Sequence, residues 1–142
     1  MFLSRSRRIS TTLNNEKGES AVEFALLLPI LVLLIFGIIQ FGFIFFHYIS
    51  ITHAAREGAR WAALEQPDSE VRLRVKNSAP GLMIADADIK IDPAGDRSGK
   101  IGEPVKVTVN YKTLIIVPFV GEAMGLATPY LQLSNTATQR IE

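Results

Sequence analysis

Between Glu23 and Arg56 lie 32 residues without a single Asp, Glu, Lys or Arg. Inside this gap, Phe24 to Phe46 is a 23-residue apolar run broken only by Pro29, Gly37, Gln40 and Gly42. At roughly 1.5 Å per residue, a helix of that length reaches about 35 Å, enough to cross a hydrocarbon core about 30 Å thick with some tilt. A cleaved secretory signal carries an apolar stretch of only about 7 to 15 residues ahead of small residues. The run therefore reads as a retained membrane anchor that crosses once.

The flanks set its direction. Arg5, Arg7, Arg8 and Lys17 against Glu16 give residues 1–18 a net charge of +3, which leaves −2 for the other 124 residues of a chain whose net is +1. The positive-inside tendency keeps such an N-terminus in the cytoplasm and sends the C-terminal part across the membrane. With 142 residues, 15 Lys plus Arg and 14 Asp plus Glu, the chain has room for one small domain beside the anchor, and its charge is too balanced for a protein devoted to nucleic acid. The absence of cysteine excludes a disulfide scaffold, a thiolate metal site and a cysteine nucleophile.

Just ahead of the span stands Lys17-Gly18-Glu19-Ser20-Ala21-Val22-Glu23-Phe24. A carboxylate at the mouth of hydrocarbon is costly, so Glu23 needs a reason to be there. One reading is an interfacial glutamate favoured by a helix N-terminus. The other is a cut after Gly18, which removes the basic leader 1–18 and creates an α-amino group on Glu19 that can pair with Glu23 of the same or a neighbouring chain. Glu23, with Phe24 beside it, would then set the register of assembling helices.

These residues resemble a known family. Gly18 followed by Glu19 to Val22 and then Glu23-Phe24 looks like the prepilin-peptidase site of type IV pilins and pseudopilins. Ser20-Ala-Val-Glu-Phe-Ala-Leu-Leu-Leu-Pro29, Phe36-Gly-Ile-Ile-Gln-Phe-Gly42 and Ala54-Ala-Arg-Glu-Gly-Ala-Arg60 are similar to the TadE-like family, minor pseudopilins of the tight-adherence (Flp) pilus machinery. The resemblance extends to Val105–Tyr111 and Leu131–Glu142. It implies a pilin-like fold, cleavage after Gly18 and retention in the bacterial inner membrane. It also implies a part in assembling or priming an adhesive pilus. The implied partners are a prepilin peptidase, other pilins or pseudopilins, the assembly machinery and membrane lipid, with no nucleic acid, small-molecule substrate or cofactor. Gln40 stands where the family often has an acidic residue, so no role requiring a second membrane carboxylate carries over.

Within the span, Pro29 should bend the axis. Gly37 and Gly42 bare the backbone, and Gln40 between them offers an amide to a neighbouring helix, as small and polar residues do at membrane helix contacts. Past the span the helix is expected to run to Leu64. Ala54, Gly58 and Ala62 form one row of small residues and Ala55, Ala59 and Ala63 a second, together a smooth stripe for close packing. The favoured partner is the chain's own sheet; another chain is the alternative. His53 and Glu57, four apart, suit a hydrogen bond better than a metal pair. Pro67 ends the helix, and Asp68 is expected to cap a short helix over Ser69 to Asn77, although Val71, Leu73 and Val75 also alternate like a strand.

Ile89 and Ile91 alternate with polar residues, as do Val105, Val107, Val109 and Tyr111, and they are expected to pair as a hairpin across the Pro-, Gly- and Asp-rich stretch Asp92 to Gly102. A third strand is expected from Tyr130 to about Ile141. The expected architecture is α+β: a leader over 1–18, a helix over 19–64, and a small extracytoplasmic domain over 65–142 with a short helix and an antiparallel sheet of about three strands. Leu114 to Val120 is too short to span a membrane and reads as a strand end with a buried connection, or else as an exposed docking patch. No Ser-His-Asp order, phosphate loop or metal spacing emerges, so a peptidase substrate fits better than an enzyme. A permanently anchored extracytoplasmic binding or sensory protein is the competing reading.

Overall fold

A computed structural model describes residues 15–117, 125 and 128–142, with side chains from Gly18 onward. Its elements are α1 (Asn15–Ala63), α2 (Asp68–Asn77), a 3-10 turn (Asp86–Asp88), β1 (Ile89–Asp92), β2 (Pro104–Leu114) and β3 (Tyr130–Arg140). The chain is α+β, a long apolar helix followed by a short helix and a three-stranded antiparallel sheet. Most of the leader and Val120, with Phe119 and Pro118 before it, lie outside the described residues.

Two compact units divide the chain, one ending at Gly37 and the other running from Ile38 to Glu142. The first is helix: α1 continues through Pro29, and its apolar side chains, from Phe24 to Phe36, are exposed. The division falls inside α1 because the helix beyond it packs on the sheet. This helix is the one candidate membrane span among the described residues, and its length and hydropathy suit a single-pass membrane protein.

In the second unit the strands lie in the order β1-β2-β3. Ile91 pairs with Val107 and Val107 with Ala137, so one sheet face is apolar across all three strands. That face and the small-residue stripe of α1 make the core: Ile51, Ala54, Ala55, Ala59, Ala62 and Ala63 are buried with Val105, Val107 and Val109 of β2, Ile89 and Ile91 of β1, and Ile141. Alternation along β2 places Val105, Val107 and Val109 inward and Lys106 outward, as expected of a sheet wet on one face. The segment over 69–77 is helical because its buried residues, Val71 and Val75, are four apart, while Leu73 points out.

Asp68 does not cap α2. The N-cap position is Pro67, with no side-chain capping bond, and the Asp68 carboxylate turns instead to the β1–β2 loop.

Candidate functional site

The residues singled out in the sequence fall into three groups. Gly18, Glu19, Glu23 and Phe24 lie on α1 in the first unit, all exposed. Glu19 and Glu23 are four apart and share a helical face, so an amine created at position 19 would begin one turn from the Glu23 carboxylate. Exposed apolar side chains follow directly, with Phe24 at 58%.

Gly37, in the first unit, and Gly42, in the second, form another group. A Cβ built on either would meet nothing within 4 Å. At Gly42 the bared backbone opens a shallow apolar depression between Ile39, Phe43 and Phe46.

Ala55, Gly58, Ala59 and Ala62 make up the third group and are buried in the second unit. Gly58 marks the closest approach: a Cβ there would lie 2.5 Å from Cγ2 of Val75 and 3.1 Å from Cγ1 of Val107. Only a residue without a side chain lets α1 rest on α2 and β2 at once.

Gln40 departs from its expected role. Rather than reaching toward another helix, it is 3% exposed and holds the chain's own backbone, donating from Nε2 to the Leu114 carbonyl at 3.1 Å and accepting the Ile116 N–H at Oε1 at 2.8 Å. β1 pairs with β2 only as far as Val109, so on that edge of the strand these two backbone groups have no ladder partner, and an amide supplies the donor and the acceptor they lack. About two turns on, His47 Nδ1 hydrogen-bonds Thr113 Oγ1, and its ring meets Tyr111 edge-on with centroids 5.1 Å apart. Gln40 and His47 thus tie α1 to the end of β2. Between them Leu114 and Ile116 point outward while Ile115 and Val117 are buried, so the segment is both a core strand and an exposed patch by alternation.

His53 and Glu57 do not pair. Glu57 accepts from Arg60 at 3.1 Å and lies 3.5 Å from Nε of Arg74, whose guanidinium stacks 5.1 Å from the Trp61 ring centroid. The Arg60 hydrogen bond holds the Glu57 carboxyl below its usual range, opposed by desolvation and helped by the charge of Arg74. Two guanidiniums occupy this carboxylate in place of the imidazole. Among the described residues no group of three His, Asp or Glu side chains is placed to hold a metal.

Arg97 escaped the sequence reading. It is 1% exposed, in the middle of the β1–β2 loop. Its guanidinium donates to the carbonyls of Ala62 (3.1 Å), Gln66 and Pro93 (3.2 Å) and to Asp68 Oδ1 (2.6 Å). The loop thereby caps the C-terminal end of α1, where Glu65 carries a positive φ of 57°. Nothing in a lone arginine among Gly, Asp and Ser announces burial.

Neither a search of curated proteins nor one of solved structures found a match. The family model described as TadE-like protein matches residues 18–60. The matched stretch runs from Gly18, through the apolar run and Gln40, to Arg60, three residues short of the end of the small-residue stripe. Over residues 18–60 the chain is similar to the TadE-like family.

Proposed function

We propose that the chain is a minor pseudopilin of the tight-adherence (Flp) pilus, cut after Gly18 by a prepilin peptidase and used in assembling the pilus for surface adhesion. The observation that carries this reading is the extent of the family match, which opens on Gly18 and covers Glu23 and the whole apolar run. The exposed apolar surface of α1 from Phe24 onward supports it. Such a surface is stored in lipid before assembly and is buried against other helices when the subunit leaves the bilayer. Glu23 then pairs with the α-amino group of Glu19 on a neighbour and keeps the helices in register. The basic residues of 1–18 support an orientation with the leader on the cytoplasmic side of a bacterial inner membrane and the sheet outside it. The chain's part is structural, with no catalytic step of its own.

The intact mass of the membrane-bound protein, measured with and without a prepilin peptidase and with Gly18→Leu, tests the reading. A peptidase-dependent start at Glu19, lost in Gly18→Leu, is expected. A leader retained in every case would overturn it in favour of a permanently anchored binding or sensory protein. Glu23→Ala should insert and be cut normally yet fail to support pilus assembly, and normal assembly by that variant would remove the register role.

A further inference from the structure

In the second unit the polarity of three elements changes at one level. Along the outward face of β2 the side chains are Lys106, Thr108, Asn110 and Lys112, and then Leu114 and Ile116, which are 49% and 63% exposed. β3 makes the same change in the same row: Tyr130 stands opposite Leu114, and Gln132, Ser134, Thr136 and Thr138 follow it. On α1 the apolar run ends at Phe46, and His47 and Tyr48 follow. The His47–Thr113 bond brings the helix's change of polarity beside that of the strands. The Gln40 clasp on Leu114 and Ile116 lies six residues, about 9 Å, back along the helix from Phe46, well within the apolar run.

A strand end in water would have no reason to turn apolar where the neighbouring helix does. We infer that the end of β2 and the start of β3 are seated in the lipid of the membrane that α1 crosses, with Leu114 and Ile116 at the edge of the acyl region and Lys112 and Tyr130 among the headgroups. Lys112 can lay its stem along apolar surface and keep its ammonium at the lipid phosphates, and Tyr130 suits the aromatic belt of a membrane interface. The pocket of about 270 Å³ between Phe43, His47 and Tyr130 opens at this level. This inference rests on α1 being a membrane span. It adds a second contact, which fixes the depth and rotation of the domain on the bilayer.

The chain has no cysteine, so single-cysteine variants take one label each. Full-length Ile116→Cys, Leu114→Cys, Leu31→Cys and Met83→Cys, each bearing an environment-sensitive fluorophore, would be reconstituted in phosphatidylcholine and phosphatidylglycerol vesicles. Leu31 reports the span, and Met83, 95% exposed, reports water. Labels at 114 and 116 should emit to the blue of the label at 83 and lose several-fold intensity to lipids carrying a nitroxide near the headgroup. Water-like emission at 114 and 116, with the label at 31 still quenched by lipid, would overturn the inference and leave the span intact. Shielding from both lipid nitroxide and aqueous iodide that grows with protein-to-lipid ratio would overturn it in favour of a second protein covering the patch. Water-like emission at 31 as well would overturn the span reading itself.

Discussion

At Gly58 the absence of one carbon sets how closely α1 lies on its neighbours. A methyl there comes within 2.5 Å of Val75 Cγ2, closer than real side chains approach, and crowds Val107 at 3.1 Å, so Gly58→Ala forces its neighbours to shift at a cost of about 1–3 kcal/mol. The helix propensity gained, about 1 kcal/mol, does not recover this. The variant should melt earlier in detergent, followed through Trp61, the single tryptophan. Adding Val75→Ala should restore part of the loss, a non-additivity that identifies the clash. Gly42→Ala, with open space around it, should cost nothing. Arg97 is the opposite kind of residue, one whose many atoms are all used. Arg97→Met strands three carbonyls and the Asp68 carboxylate, whose side chain is 24% exposed, and the loss in a denaturant titration should be about 3 kcal/mol, the lower end for a broken buried pair. Arg97→Lys should recover less than half, because one ammonium cannot reproduce the planar fork that reaches α1 and the loop together.

Elements are held to one another here mainly by polar contacts at their ends and apolar contacts in their middles. Gln40 is the clearest case. Gln40→Leu leaves the Ile116 N–H and the Leu114 carbonyl without partners, at about 1–3 kcal/mol, and should sharply reduce amide-exchange protection at Ile116 while β1 stays protected. Gln40→Glu should keep the Ile116 N–H bonded at any pH but hold the Leu114 carbonyl only while its carboxyl is neutral, since an ionised carboxylate cannot donate. The same division explains what the sequence made legible. Period-two alternation in Val105, Val107 and Val109 and the four-residue spacing of Ala55, Ala59 and Ala63 are apolar patterns, and they located the strands, the stripe and the face each buries. Val71, Leu73 and Val75 fit two periods at once, and only the burial of Val71 and Val75 without Leu73 separates them. Gln40, Asp68 and Arg97 carry no periodicity. Each found its partner through the fold, at separations of 76 residues for Gln40 to Ile116 and 29 for Arg97 to Asp68, and local sequence cannot rank such partners.

For the whole molecule, the question is which parts can exist alone. The sheet has three strands and no disulfide, and such a core is marginal by itself. Six of the core residues come from α1 between Ile51 and Ala63, and they cover the inward face of β2. The C-terminal residue also returns to the helix, where the Glu142 N–H donates to the Ala63 carbonyl at 3.0 Å. The hydrophobic core therefore begins well inside the helix, at Ile51, and not at Ala63 where the helix ends. A fragment of residues 47–142 should fold, with native-like amide protection in β2. A fragment of residues 65–142 should show the circular dichroism of an unfolded chain, because Val105, Val107 and Val109 would face water. Restoring residues 47–64 as a separate peptide should recover structure in the shorter fragment, since the stripe supplies surface rather than connectivity. A folded 65–142 fragment would mean that the sheet and α2 suffice, and that α1 is only a tether. If the expected result holds, then under the proposed pseudopilin role a pull on α1 as the subunit leaves the membrane also pulls on the core of the domain, and the small-residue stripe from Ala54 to Ala63 carries that force.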